Sequence, residues 1–241
     1  MKRERIIELA LATNVEDKKL SFISSFDNPH DAEIVAIITS WLSNGAYNEL
    51  ETAKDIISMM KPTPFEFVAS KDIKVDDVFK DIDVSVNATM TSSQLYELIL
   101  RLRSYITFGN TTFNGIFKPR DAFLGRKRYK YPHERLSALL GGNTGFQTKL
   151  GGGTFYRYYL LFYWMTHKTT LWGGLDTSNA LLPCNHRVFN NAYKLGIFKK
   201  PILFTNVDNA IKLTQIARSW LGNDDFYLMY EFLNSYNGDG K

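Results

Sequence analysis

Apolar residues recur along most of this chain at every third or fourth position, the period of helices with one buried face. The clearest case is Ile34, Val35, Ile37, Ile38, Trp41 and Leu42. Asn28-Pro29-His30-Asp31 precedes them and opens a helix well: Asn28 caps, Pro29 suits the first turn, and Asp31 favours the positive end. Asn44-Gly45 breaks that helix, and a second runs from about Tyr47 to Met60, before Pro62 and Pro64. The first 14 residues read as a helix, because Glu4 and Glu8 interrupt any signal-like core. From Lys71 to Met90 the pattern is poor, with short alternation around Ile73, Val75 and Val78 that predicts a loop or a weak strand pair.

Ser92 or Ser93 is expected to cap a helix carrying Leu95, Leu98, Ile99, Leu102 and Ile106. Phe155 to Met165 is apolar or aromatic nearly all round, which predicts a central buried helix. Asn185 is placed to cap the next helix, with Gly196 as its closing C′ glycine. Asp208 is expected to cap the last long helix, and Gly222 to end it. Strand signals are scarce, so the predicted class is all-α.

The length of 241 residues allows one large unit or two small lobes sharing a cleft. Residues 1–30 and 150–241 are expected to build one lobe and 31–149 the other. With 44% hydrophobic and 22% charged residues the composition is that of a globular protein. No apolar run reaches the length of a membrane span. Cys184 is the only cysteine, which excludes an internal disulfide and a four-cysteine zinc or iron–sulfur site. An intracellular (cytoplasmic) protein without metal or cofactor is expected.

Charge sharpens the picture in one place. The net charge is only +4, yet Lys118, Arg120, Arg126, Lys127, Arg128, Lys130 and Arg135 face only Asp121 and Glu134 between residues 118 and 135. Phe117, Phe123, Tyr129 and Tyr131 are interleaved. Such a stretch is either a solvated loop or the footprint of a polyanion.

Leu150-Gly151-Gly152-Gly153-Thr154 leads directly into the central helix. Consecutive glycines permit close backbone approach, and a helix start presents free N–H groups to an anion. The turn is therefore either a plain connection or a grip on a DNA phosphate, which would position the protein without reading sequence. Lys149 and Arg157 flank it and would add charge.

The segment ALLPCNHRVFNNAYKLGI, residues 180–197, resembles the P-x-D-T-H-V…R-x-x-x-x-L-G-L segment that follows the hairpin in helix-hairpin-helix (HhH-GPD) DNA glycosylases, with Pro183, Val188, Leu195 and Gly196 in register. DAEIVAIITSWLSNGAYNEL resembles the early helix of that superfamily, which ends in a polar turn at the lesion. In order and spacing the segments most closely resemble a bacterial family of uncharacterised glycosylase-like proteins, whose hairpin segment reads roughly G-S-A-x-K-R-x-x-x-F-L-R-W-M against GGTFYRYYLLFYWM here. The resemblance spans about Phe26 to Tyr230.

The resemblance implies a protein that flips a damaged or modified base, hypermodified phage bases included, out of double-stranded DNA and hydrolyses its N-glycosidic bond as a monomer. The superfamily aspartate falls on Asn185, an amide that carries no charge but can orient water or simply cap the helix. Asp176 and Asp225 are the carboxylates that could take over the vacated role. The lysine of lyase-competent members falls on Tyr156, which implies base release without strand cleavage.

Tyr156, Asn44, Trp41 and His186 are the candidates for the base pocket, although Trp41 also suits the core and His186 a solvent-facing first turn. Gly151, Gly152, Gly153, Thr154, Lys149, Arg157, Arg187, Arg126, Lys127, Arg128 and Lys130 are the candidate DNA contacts. The Asn185 departure leaves open a DNA-binding protein that has lost the chemistry. Without DNA binding, a helical interaction scaffold remains.

Overall fold

The computed structural model describes residues 1–43, 48–80, 82, 91–110, 112–117, 131–146, 153–203 and 205–238. Twelve α-helices and no strand occur among them, so the fold is all-α. The helices are α1 (Arg3–Leu11), α2 (Lys18–Ile23), α3 (Pro29–Leu42), α4 (Glu49–Met59), α5 (Pro64–Ala69), α6 (Val75–Phe79), α7 (Ser92–Thr107), α8 (Pro132–Leu140), α9 (Tyr156–Tyr163), α10 (His186–Lys194), α11 (Val207–Asp225) and α12 (Tyr227–Ser235). Short 3-10 turns cover Phe113–Phe117 and Gly142–Thr144, and α9 continues as a π-helix over Trp164–Lys168. The alternation around Val75 that suggested a strand belongs to α6, where Val75 and Phe79 point inward one helical turn apart.

Helix α3 is the axis of the molecule. Asn28 accepts from the His30 amide at 3.0 Å and Pro29 occupies the first turn, as the sequence predicts. Every residue from Asp31 to Leu42 is buried. Two of them are carboxylates that organise neighbouring chain. Asp31 accepts from the Phe65 amide at 2.7 Å, at the start of α5. Glu33 accepts from the Trp172 indole at 2.5 Å and from the Phe113 amide at 3.2 Å.

Around α3 pack α2, α4, α5 and α9. Helix α7 lies against α5, α6 and α8, while α12 gathers α1, α10 and α11. One hydrophobic cluster runs through all twelve helices, and α9 contributes Tyr158 to Tyr163 to it. The first residue is tied to the end of α10: the Met1 amino group donates to the Leu195 carbonyl at 3.2 Å.

Caps are set by local geometry. Thr91 closes a capping box with Gln94 at the start of α7, and Asn206 caps α11 by accepting from Asn209 at 2.9 Å. The expected caps, Ser92 or Ser93 and Asp208, therefore lie one or two residues inside their helices. Gly196, at φ 79°, closes α10 in the left-handed region that favours glycine. Gly222, at φ 88°, kinks the chain sharply inside the run assigned to α11.

Candidate active site

The site is built where α9 begins. Phe155 precedes the helix in the left-handed region, at φ 54°, which is strained for a bulky residue. Its ring stacks on His133 with centroids 4.0 Å apart, and the Nδ1 of His133 pairs with the Tyr159 hydroxyl at 2.5 Å. Burial holds His133 neutral, with its pKa lowered to about 4. The Thr154 hydroxyl donates to the Cys184 carbonyl and ties this segment to the residue before Asn185. Residues 153–157 and 184–186 thereby flank a cavity of about 240 Å³.

Asn185 caps α10, its Oδ1 accepting from the Val188 amide at 3.0 Å. Its side chain also bonds to Tyr156, whose phenol bonds to Tyr230 as well. Both contacts favour the ionised phenol. Burial outweighs them and pushes Tyr156 up to about 12, so the hydroxyl is protonated at neutral pH.

Tyr156 also lines a second and larger cavity of about 590 Å³, between α2, α4, α9 and α12. Its walls are aromatic, with Tyr156, Tyr163, Trp164 and Tyr230, and ionic. Lys19 pairs with the buried Glu49 and donates to the Ser43 hydroxyl at 2.9 Å. Lys168 pairs with the buried Glu231 at 2.7 Å, and the Tyr163 hydroxyl donates to the same carboxylate. Burial, followed by the Glu231 contact, drives the Tyr163 phenol well above the ordinary tyrosine range. Asp17 accepts from the Lys19 and Leu20 amides at 2.9 and 3.3 Å, and from the Trp164 indole at 3.1 Å.

With this geometry in view, the sequence pattern of DUF2400, described as a protein of unknown function, matches residues 19–232. The chain belongs to the DUF2400 family. The match takes in Lys19, Glu49, Tyr156, Asn185 and Glu231, and begins two residues after Asp17. No curated protein and no solved structure matches the chain.

Within this DUF2400 protein the candidates read from sequence fall into four groups. Tyr156 and Asn185 come together, with Gly153, Thr154 and His186 lining the smaller cavity beside them. His186 is exposed there, and Arg187 is exposed beside it, donating to Asn237 at 2.7 Å. Asp176 and Asp225 are exposed and line neither cavity. Asp176 instead turns back on its own loop, accepting from the Ser178 amide at 2.8 Å, a bond that lowers its pKa.

Two further candidates are turned inward. Trp41 is fully buried and donates to the Thr144 carbonyl at 2.6 Å, so it belongs to the core and lines neither cavity. Arg157 is buried, with Nε on the Ser43 carbonyl at 3.1 Å and a terminal nitrogen on the Gly145 carbonyl at 2.6 Å. It ties α9 to the end of α3 rather than offering its charge at the surface. Desolvation lowers its pKa to about 10, which still leaves it charged.

Asn44, Lys149, Gly151, Gly152, Arg126, Lys127, Arg128 and Lys130 lie outside the described residues. Among the described residues, no group of three His, Cys, Asp or Glu side chains is arranged to hold a metal ion, and no helix is long and apolar enough to cross a membrane.

Sequence reading missed Asp17, Lys19, Glu49, Lys168, Tyr230 and Glu231. They come from the start of α2, the start of α4, the π-turn and α12, and no linear spacing connects them.

Proposed function

We propose that this protein is a DNA glycosylase that draws a damaged or modified base into the 590 Å³ cavity and hydrolyses its N-glycosidic bond. The observation that carries this reading is the meeting of Tyr156 and Asn185 beside that cavity. They are the two positions that hold the lysine and the aspartate in the helix-hairpin-helix glycosylases the sequence resembles. The volume falls within the roughly 300–1,000 Å³ of small-ligand sites. Aromatic walls suit stacking of a planar base, and adjacent ammonium and carboxylate groups suit its hydrogen-bonding edge.

The duplex lies with Gly153 and Thr154 near its phosphates. Lys19 and Lys168 are each tied to a carboxylate. Tyr156 stands at the lysine position and offers no amine for a Schiff base with the sugar, so the reaction is hydrolytic and leaves the abasic strand uncut. Incubation with duplexes carrying different modified bases, assayed for free base and for alkali-labile sites, tests this reading.

One observation favours a second reading, a DNA-binding protein without chemistry. The Asn185 side chain is engaged by the Val188 amide and by Tyr156, while Asp176 and Asp225 lie away from the cavity. Tight binding of DNA carrying an abasic analogue, with no base released from any duplex, would select it.

A further inference from the structure

An N-glycosidic bond that breaks before water arrives leaves positive charge on the sugar, and a fixed negative charge nearby lowers that barrier. Asn185 has none to offer. Five carboxylates line the large cavity; Glu16 and Glu51 are exposed to solvent, and Asp17, Glu49 and Glu231 are drawn further in. Glu49 is paired with Lys19, and Glu231 with Lys168. Asp17 differs from both, because the donors placed on it are neutral: two backbone amides and the Trp164 indole.

Resting on the glycosylase reading, we propose that Asp17 is the catalytic carboxylate of this site, facing the sugar from the N-terminal side of the cavity. Its Oδ1 is held by the Lys19 and Leu20 amides of α2 and its Oδ2 by the Trp164 indole of the π-helix, so both oxygens are fixed. Asp17 lines the same cavity as Tyr156, the residue at the lysine position, and as Tyr163 and Tyr230.

In the reaction the C1′–N bond breaks and its electron pair leaves with the base. The charge that grows on C1′ and the ring oxygen lies against Asp17. Water then forms the new C1′–O bond, and the proton it loses passes to the departing base. The products are the free base and an intact abasic strand.

The test compares the affinity of the full chain for two duplexes, one with a cationic pyrrolidine abasic analogue and one with a neutral tetrahydrofuran analogue. The wild-type protein is expected to prefer the cationic duplex by roughly tenfold or more. Asp17→Asn is expected to bring the two affinities together while keeping the neutral one, and Glu66→Gln, at an exposed carboxylate that lines neither cavity, to leave the preference intact. Asp17→Ser, which retains a helix cap, decides the matter should Asp17→Asn fail to fold. A wild-type protein that binds both duplexes equally, or an Asp17→Asn or Asp17→Ser variant that keeps the preference, overturns the proposal. Failure to bind either duplex overturns the glycosylase reading itself.

Discussion

Lys168 and Glu231 hold their charges 2.7 Å apart at the edge of the large cavity, where α9 loosens into a π-helix. The wider turn carries Lys168 round toward α12, and π-turns of this kind concentrate at functional sites. Glu231 is only 8% exposed, so it depends on this partner and on the Tyr163 hydroxyl. Lys168→Met is expected to lower stability in urea by about 2 kcal/mol, because the carboxylate is then left in the wall without a cation. Adding Glu231→Gln should recover most of the loss. A double variant no more stable than Lys168→Met would show that the pair is not coupled.

Glu33 and His133 titrate in opposite senses. Burial raises Glu33 to about 7, so the folded protein binds a proton that the unfolded chain, at about 4.5, does not. That contribution is fully present below pH 4.5 and is lost as the pH rises through 7, on the order of 3 kcal/mol. His133 is lowered to about 4, so its contribution is present above about pH 6.5 and lost as the pH falls toward 4. The windows overlap and the two slopes oppose. Stability of the wild-type protein from these two groups should change little between pH 5 and 6.5, whereas Glu33→Gln should become steadily less stable on acidification. Urea midpoints across that range check it, and parallel curves for the two proteins would contradict it.

Asn185 offers a direct probe of the site. Asn185→Asp keeps the helix cap and adds a negative charge beside Tyr156, so base release should be preserved or faster. Asn185→Ala removes the cap and the contact to Tyr156, costing roughly 1 kcal/mol of stability and slowing release. Single-turnover rates alongside melting curves separate the two effects. Release by Asn185→Ala at the wild-type rate would remove Asn185 from the mechanism.

A Cβ built on Gly153 meets nothing within 4 Å, so Gly153→Ala should fold with nearly unchanged stability. A loss of DNA affinity in that variant, equal across sequences, is expected if a phosphate approaches there. Neutralising Arg126, Lys127 and Arg128 together should flatten the dependence of binding on salt. Unchanged affinity and salt slope in both variants would contradict a DNA partner.

Much of the fold was legible in the sequence, because α3, α9 and α10 carry strong periodic or capping signals, and Asn28, Asn185 and Gly196 act where the pattern places them. Helix α6 was not, since five residues are too few to separate a helical period from alternation. Caps slipped where several small polar residues stand together, as at Thr91 to Ser93, since each can accept an amide and only geometry chooses. In α9 the pattern could not tell inside from outside: a helix aromatic on all faces gives no sign that Arg157 points into the core. Tyr156 and Asn185 were singled out by the family resemblance, each on its own. The ionic lining of the cavity was not, because its members meet only after α2, α4 and α12 pack around α9.

The central claim is base release, and one measurement addresses it most directly. The full chain is incubated with duplexes carrying a panel of damaged and modified bases, and the products are resolved as free base and as strand length before and after hot alkali. The expected result is free base from at least one duplex, with the strand intact until alkali is added. No base released from any duplex, or a covalent adduct trapped by borohydride, would contradict it.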